Sequence, residues 1–236
     1  MTFWWIIGVG AVALTIYFVF LARYMKKRTA KQLAEVASRS SSQPLTAAQQ
    51  RLLVFGGILA QHRSEPILSL QPNAALDIIQ YGLKNQWEIT NAQEAHETLG
   101  NLVAMVRSSE YDAQLAHNIQ TVQNTQRAVA KALKLSIEQV QATRSTCAWD
   151  CCRAVALGRW CFWLGYISET EFWQVATQAS EQAVARCNDW SDYTVSFLIG
   201  RTLQGFDLDD IYHDARHLLN GKNKSDGDVY RYFAFK

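Results

Sequence analysis

An uncharged apolar run from Phe3 to Ala22 opens the chain, and it limits the fold more than any other feature. A helix of about 20 residues, with a rise of about 1.5 Å per residue, is about 30 Å long, which matches the hydrocarbon thickness of a bilayer. Trp4, Trp5 and Tyr24 lie near the ends of the run, where amphipathic rings favour the membrane–water interface. The sequence therefore predicts one N-terminal transmembrane helix.

Positive charge follows this run, and none precedes it. Because the cytoplasmic flanks of membrane helices carry an excess of Lys and Arg, this asymmetry predicts a single-pass protein with its N-terminus outside and its C-terminal domain in the cytoplasm. The alternative is a cleaved signal peptide, which needs a basic start and a small-residue cleavage site; the uncharged start and the cationic end favour the spanning helix. The membrane-flanking basic residues are Arg23, Lys26, Lys27, Arg28 and Lys31.

The basic charge is confined to one segment of the chain. Residues 23–39 hold six Lys or Arg and one Glu, a net charge of +5, while the whole chain carries +2. The rest is therefore mildly acidic and has no basic stripe, which argues against nucleic-acid binding because phosphate neutralisation supplies most of that affinity. We expect a lipid bilayer and an unidentified protein as partners, and no nucleic acid.

Three segments follow from the pattern: a transmembrane anchor over residues 1–24, a basic juxtamembrane helix with a Ser-rich linker over 25–44, and a helical domain over 45–236. In the third segment apolar residues recur at helical spacing and runs of β-branched residues are few. The prediction is an all-α domain built of packed αα-hairpins. The predicted helices lie near residues 46–62, 73–85, 91–107, 110–134, 137–146, 148–164, 169–187, 191–203 and 208–219.

Local signals mark several helix starts and two similar turns. Thr46, Thr90 and Ser168 each begin the S/T-x-x-E/Q pattern of a capping box, in which the first and fourth residues satisfy each other's backbone amides. The segments 86–89 and 164–167 each end one helix before another begins. Two hairpins of like construction could stack on one core, with chance similarity as the alternative.

The five cysteines are predicted to be small buried side chains. Their number is odd and the predicted compartment is reducing, which argues against a disulfide framework. Metal ligation and a reactive thiol are the alternatives. The residues are Cys147, Cys151, Cys152, Cys161 and Cys187.

A polar cluster lies within the Trp-rich segment 148–201 and is the candidate functional site. Charged residues among so many aromatic rings either form ion pairs that fix the packing of the helices or line a cleft that binds an anion or supports acid–base chemistry. The ion-pair interpretation is the simpler one because no nucleophile–base spacing is present. The cluster consists of Asp150, Arg153, Arg159, Glu171 and Arg201.

Asp209, His213 and His217 recur every four residues and line one predicted helix face. Two His at this spacing plus a carboxylate can bind zinc, but no H-E-x-x-H motif is present, so this set is only a weak metal candidate. Phosphate-binding glycine loops and G-x-S-x-G are also absent from the sequence. We predict no cofactor.

An ordered series of short motifs extends over residues 148–205: Ala-Trp-Asp-x-x-Arg-Ala, Gly-Tyr-Ile-Ser-Glu-x-Glu-x-Trp, Trp-Ser and Gly-Arg. This series resembles the uncharacterised bacterial family DUF1266, with Leu203-Gln204 where an aromatic residue is expected. The resemblance implies a bacterial source, an all-helical domain that includes residues 146–236, and no established activity. The structural residues of these motifs are Trp149, Gly165, Tyr166, Trp173, Trp190 and Gly200.

Together these observations predict a single-pass protein of the bacterial inner membrane whose cytoplasmic helical domain is a protein-interaction or adaptor module, and not an enzyme. The alternative is a membrane-tethered ligand sensor or enzyme that uses the Asp/Arg/Glu cluster. Convergence of those side chains in an open pocket would favour the alternative, and pairing between packed helices would favour the adaptor.

Overall fold

The computed structural model describes the backbone of residues 2–73, 75–117, 119–208, 210–221 and 229–236, and the side chains of these residues from Leu14 onward. Every regular element in these ranges is a helix, as the sequence predicted. The helices are α1 (Thr2–Arg39), α2 (Ala47–Val54), α3 (Gly57–His62), α4 (Leu76–Trp87), α5 (Ala92–Val103), α6 (Val106–His117), α7 (Gln120–Leu133), α8 (Ile137–Gln141), α9 (Cys147–Leu164), α10 (Glu169–Arg186), α11 (Trp190–Leu203), α12 (Ile211–Asn220) and α13 (Val229–Tyr232).

Helix α9 is the centre of the domain. All its residues except the last, Leu164, are buried, and it packs against α3, α4, α5, α6, α10 and α11. Apolar residues lie on all of its sides, interrupted only by Asp150, Arg153 and Arg159, which is typical of a helix enclosed by others. The Trp-rich segment noted in the sequence is therefore the main part of the core.

Two predicted helices are each divided in the structure. Residues 46–62 form α2 and α3, separated at Gly56, where a Cβ atom would lie 2.8 Å from Cγ1 of Val155 on α9. The backbone must approach α9 closely at this point, and glycine allows that approach. The region 110–134 is divided between α6 and α7, with Ile119 in an extended conformation before α7.

The capping signals are confirmed at two of three positions. Thr46 and Ser168 each accept a hydrogen bond from the third residue of the following helix, and the reciprocal bonds are also present. At α5 the prediction is wrong by one residue, because Asn91 is the N-cap and Glu94 accepts a hydrogen bond from the amide of Thr90. Asn is preferred over Thr at the N-cap position.

The two similar turns noted in the sequence have a similar structure. Glu88 after α4 and Gly165 after α9 both take the left-handed conformation, with φ of 57° and 75°. Ile89 and Ile167 then return to the core and are buried. The hairpins α4–α5 and α9–α10 pack together, since α9 contacts α4 and α5 and α10 contacts α5.

The structure of helix α1 contradicts the prediction of a transmembrane helix. It runs from Thr2 to Arg39 without a break. In its described side chains only the nine residues Leu14–Ala22 precede Arg23; they extend about 14 Å, under half of a bilayer's hydrocarbon thickness. Across the described residues no helix is both long and apolar enough to cross a membrane, so the prediction is wrong there. Residues 3–13 of the predicted span lie outside the described side chains.

The C-terminal part of α1 is attached to the helical domain. Arg28 forms an ion pair with Asp77 at 2.8 Å, Val36 is fully buried, and Nη2 of Arg39 donates to the carbonyl oxygen of Trp163 at 2.8 Å. The basic helix is therefore part of the domain's packing, and only residues 40–46 form a non-helical connection. The other membrane-flanking basic residues, Arg23, Lys26, Lys27 and Lys31, are exposed on α1.

Candidate functional site

The predicted polar cluster is distributed over separate places, and the first is an ion pair within α9. Arg153 pairs with Oδ1 of Asp150, and Oδ2 of Asp150 accepts hydrogen bonds from the amide (3.0 Å) and the hydroxyl (2.6 Å) of Ser108. Burial lowers the pKa of Arg153, and the charge of Asp150 opposes that shift. Both carboxylate oxygens are engaged, as a buried ion pair requires.

The second place lies on the opposite face of α9. Arg159 is nine residues beyond Asp150, which at 100° per residue turns its side chain by half a revolution. Its Nη2 pairs with Glu65 at 2.5 Å and its Nη1 donates to the carbonyl of Pro66 at 2.6 Å. Nε1 of Trp160 also donates to Glu65, at 2.9 Å. Glu65 was not predicted as a partner, because no local spacing links it to a residue 94 positions away.

The third place is on the surface, at the start of α10. Oε1 of Glu171 lies 2.9 Å from Nε2 of His96, and its other oxygen completes the capping box with Ser168. Hydrogen bonds from Ser168 and then from His96 lower the pKa of Glu171 to about 2. The hydrogen bond to Glu171 raises the pKa of His96. This pair joins the second helices of the two hairpins.

Arg201 lies beside the first place because α11 approaches α9 closely. A Cβ atom at Gly200 would lie 2.8 Å from the carbonyl oxygen of Thr146 and 2.9 Å from Cβ of Trp149. The guanidinium carbon of Arg201 is 5.5 Å from the centre of the Trp149 ring, and that of Arg153 is 4.4 Å from the same ring. The Trp-Asp-x-x-Arg and Gly-Arg motifs thus meet around one indole, within the range of cation–π contacts.

The other residues of the motif series lie elsewhere and contribute to packing. Trp190 stacks on Tyr230 with 4.3 Å between ring centres. Gly165 supplies the left-handed turn after α9, and Tyr166 and Trp173 are half-buried near it on the α9–α10 hairpin. The structure therefore brings only two of the four motifs to one site.

A family model described as "Protein of unknown function (DUF1266)" matches residues 82–228. The chain belongs to this family. The match begins within α4 and extends past α12, so it includes both hairpins and the site around Trp149, and it is wider than the motif series suggested. A search of curated proteins and a search of solved structures each gave no significant match.

The weak metal candidate receives no support in the described part of the chain. Asp209 lies outside the described residues, and within them no group of three His, Cys, Asp or Glu side chains could hold a metal ion. On the same helix Asp214 pairs instead with Nδ1 of His62 at 2.9 Å. That contact joins α12 to α3.

The cysteines are buried and free, which agrees with the packing interpretation. Burial raises the pKa of Cys152 and of Cys161 to about 12, so both are protonated near neutral pH. Sγ of Cys147 and Sγ of Cys187 lie 3.7 Å apart in the core. All five are buried in the hydrophobic core.

The arrangement therefore fixes helices relative to one another. Asp150, Arg153, Arg159 and Glu171 each have a charged partner within the protein, and three of the four are buried. They do not converge on a common cleft. Around Trp149 two members of the predicted cluster from different helices, Arg153 on α9 and Arg201 on α11, lie against the same ring.

Proposed function

We propose that this protein is an interaction module that acts at an anionic lipid surface, where it holds its helical domain against a protein partner. The observation that carries the proposal is the exposure of large apolar side chains on every side of α1, next to a cluster of exposed basic residues. The proposal concerns contact of α1 with lipid.

The exposed apolar part of α1 extends over residues 14–22. Ile16, Phe18 and Phe20 are 64 %, 57 % and 69 % exposed. At 100° per residue Ile16 and Phe20 share one face of the helix and Phe18 points to about the opposite side. A helix that is apolar all round is stable only in an apolar environment, and exposed apolar surface of this kind marks a site of association.

The charges beside it favour anionic lipid over another apolar surface. Arg23, Lys26, Lys27 and Lys31 are exposed on α1 directly after the apolar part. A Lys or Arg near an anionic bilayer surface contributes about 1 kcal/mol. Apolar and basic residues on one helix thus match the two layers of a membrane interface.

Because α1 is attached to the domain, its lipid contact also brings part of the helical domain close to the membrane. Because α1 is attached through Asp77 at the start of α4, the outer face of α4 is held near the lipid-facing end. Ile78 and Tyr81 on that face are each 72 % exposed and lie one turn apart. We propose that they contact an apolar helix face of a protein held at the same membrane.

Partition of the full chain into vesicles tests the lipid contact. We expect flotation with vesicles of phosphatidylcholine and phosphatidylglycerol, and partition on the order of a hundredfold weaker for the triple variant K26Q/K27Q/K31Q, because three charges of about 1 kcal/mol each are removed. The control K84Q/K131Q/K134Q removes three exposed charges from the helical domain and should partition like the original chain. Equal partition of the two triple variants would contradict the proposal.

Site-specific photocrosslinking tests the protein contact. With a benzophenone side chain at position 78 or 81 we expect one discrete adduct in native membranes, and none from the same group at Gln178, an exposed position on α10. An additional Tyr81→Asp change should remove the adduct formed at position 78. Adducts that are the same at all three positions, or absent from both α4 positions, would overturn the partner proposal.

A further inference from the structure

Two buried hydrogen-bond donors, one on Trp149 and one on a residue near it, have no acceptor in the described part of the protein. They are Nε1 of Trp149 and Nε2 of Gln204. Trp149 is only 4 % exposed. The orientation of the Gln204 amide is fixed, because its Oε1 accepts from Nη2 of Arg153 at 3.3 Å and a guanidinium can only donate. An unsatisfied buried donor costs about 1–3 kcal/mol, so two at one place call for an acceptor that the described residues do not supply.

The groups around these donors are positively charged. Arg153, 7 % exposed, lies over the Trp149 ring and contacts Gln204. The guanidinium of Arg201 also lies by that ring, and its Nε donates to the carbonyl oxygen of Asp207 at 2.8 Å. Two guanidinium groups thus lie by the Trp149 indole, and one of them contacts the Gln204 amide.

The nearest buried carboxylate cannot supply the missing acceptor. Both oxygens of Asp150 are engaged, one by Arg153 and the other by Ser108. Burial lowers the pKa of Arg153, and the positive charge of Arg107 adds to that shift. An additional negative charge at this place would therefore stabilise the protonated guanidinium.

An exposed aromatic ring lies next to the buried indole. Phe206 follows a turn at Gly205, with φ of 88°, and its ring centre lies 5.6 Å from that of Trp149. The Phe206 side chain is half exposed, so the loop after α11 is at the surface beside Trp149.

We propose that Trp149, Arg153, Arg201 and Gln204 bind an oxyanion of the phosphate class. A phosphate group has several acceptor oxygens, so it can accept from indole, amide and guanidinium donors that belong to two different helices. The source is either free phosphate or the phosphate group of a lipid. This site is independent of the interaction role proposed above, because it lies in the helical domain and not on α1.

Indole signals of the full chain in detergent micelles test the proposal. With ¹⁵N-labelled Trp the chain gives eight Nε1–H signals, and Trp149→Phe identifies that of Trp149. Inorganic phosphate should shift this signal saturably, while sodium chloride at matched ionic strength should not. The signal of Trp173, whose Nε1 already donates to Glu169 at 3.0 Å, should not move. A response to short-chain phosphatidylglycerol but not to phosphate would identify a lipid source.

A charge substitution at Gln204 provides the second test of the phosphate site. Gln204→Glu removes the unsatisfied donor and places a carboxylate beside Arg153, so we expect phosphate to bind at least about tenfold more weakly. The same change at exposed Gln178 on α10 should leave the titration unchanged. No shift of the Trp149 signal with either phosphate source, or an equal shift with chloride, would overturn the proposal. Unaltered phosphate binding by the folded Gln204→Glu variant would also overturn the proposal.

Discussion

Two helices of this protein reverse the ordinary relation between polarity and burial. Helix α9 carries three charged side chains, and all three are buried. The part of α1 from residue 14 to residue 22 carries no charge, and its side chains are exposed. In α9 the charges have partners within the helix itself and on the packed loop that carries Glu65, whereas this part of α1 has no such neighbours in the described structure.

The difference shows that composition predicts how apolar an environment a helix needs, but not which molecule supplies it. For α9 the apolar environment is the protein core. For α1 we propose that it is lipid. The following four changes test this comparison, from the largest expected effect on unfolding to the smallest.

Asp150→Ala should have the largest effect, because it leaves Arg153 buried without its partner. We expect the free energy of unfolding to fall by about 3–5 kcal/mol, measured by urea denaturation followed by circular dichroism. The double variant Asp150→Leu/Arg153→Met removes both charges at similar volume and should recover most of the loss. A single variant within about 1 kcal/mol of the original chain would mean that the pair is not important for stability.

Gly200→Ala should have the next largest effect. Its Cβ atom would lie under 3 Å from atoms of Thr146 and Trp149, so α11 must move away from α9, at a cost of about 1–3 kcal/mol. Gly100→Ala on α5 is the matched control, because nothing lies within 4 Å of its added methyl group. That change should stabilise the helix by up to about 1 kcal/mol. Equal effects at both positions would show that the α9–α11 approach is not tight.

These two sites show what the sequence could and could not predict. Helical periodicity and the capping boxes at Thr46 and Ser168 are local signals, and they predicted most helices. That Asp150 and Arg159 lie on opposite faces of α9 also follows from helix geometry alone. The partnership of Arg159 with Glu65 does not, because it depends on how a distant loop packs against α9.

The candidate site was only partly predictable for the same reason. The sequence identified Arg153 and Arg201 as members of a polar cluster and Trp149 as a structural residue, but it grouped the two arginines with Glu171, which the fold places on the surface. It gave no sign that Gln204 matters, beyond its position where the family resemblance led us to expect an aromatic residue. The packing of α11 against α9 decides which of these residues meet.

Phe20→Ala in the exposed part of α1 should have little effect on folding. Exposed side chains without partners change the free energy of unfolding by no more than about 0.5 kcal/mol. The same change at Phe162, which is buried in α9, should cost about 3–5 kcal/mol. Phe20→Ala should instead weaken partition into anionic vesicles. A large loss of folding stability at position 20 would mean that protein, and not lipid, covers this part of α1.

The His96–Glu171 pair is the fourth site; its side chains are about half exposed, and His96 carries a charge only when it is protonated. Its pKa shifts have opposite signs. The stabilisation from His96 is complete below its unfolded pKa near 6.5 and is lost as pH rises through the raised folded-state value. The stabilisation from Glu171 is complete above its unfolded pKa near 4.5 and is lost as pH falls towards about 2. Both contributions are therefore complete between about pH 4.5 and 6.5.

Solvent screens such an exposed pair, so its effect on stability should be the smallest of the four. The titration of His96, followed by NMR, is the more sensitive measurement. Glu171→Gln should lower the pKa of His96 because the charged acceptor is lost, while Glu181→Gln, an exposed change on the same helix, should leave it unaltered. If the two variants give His96 the same pKa, the contact between the hairpins at this point is not formed in solution.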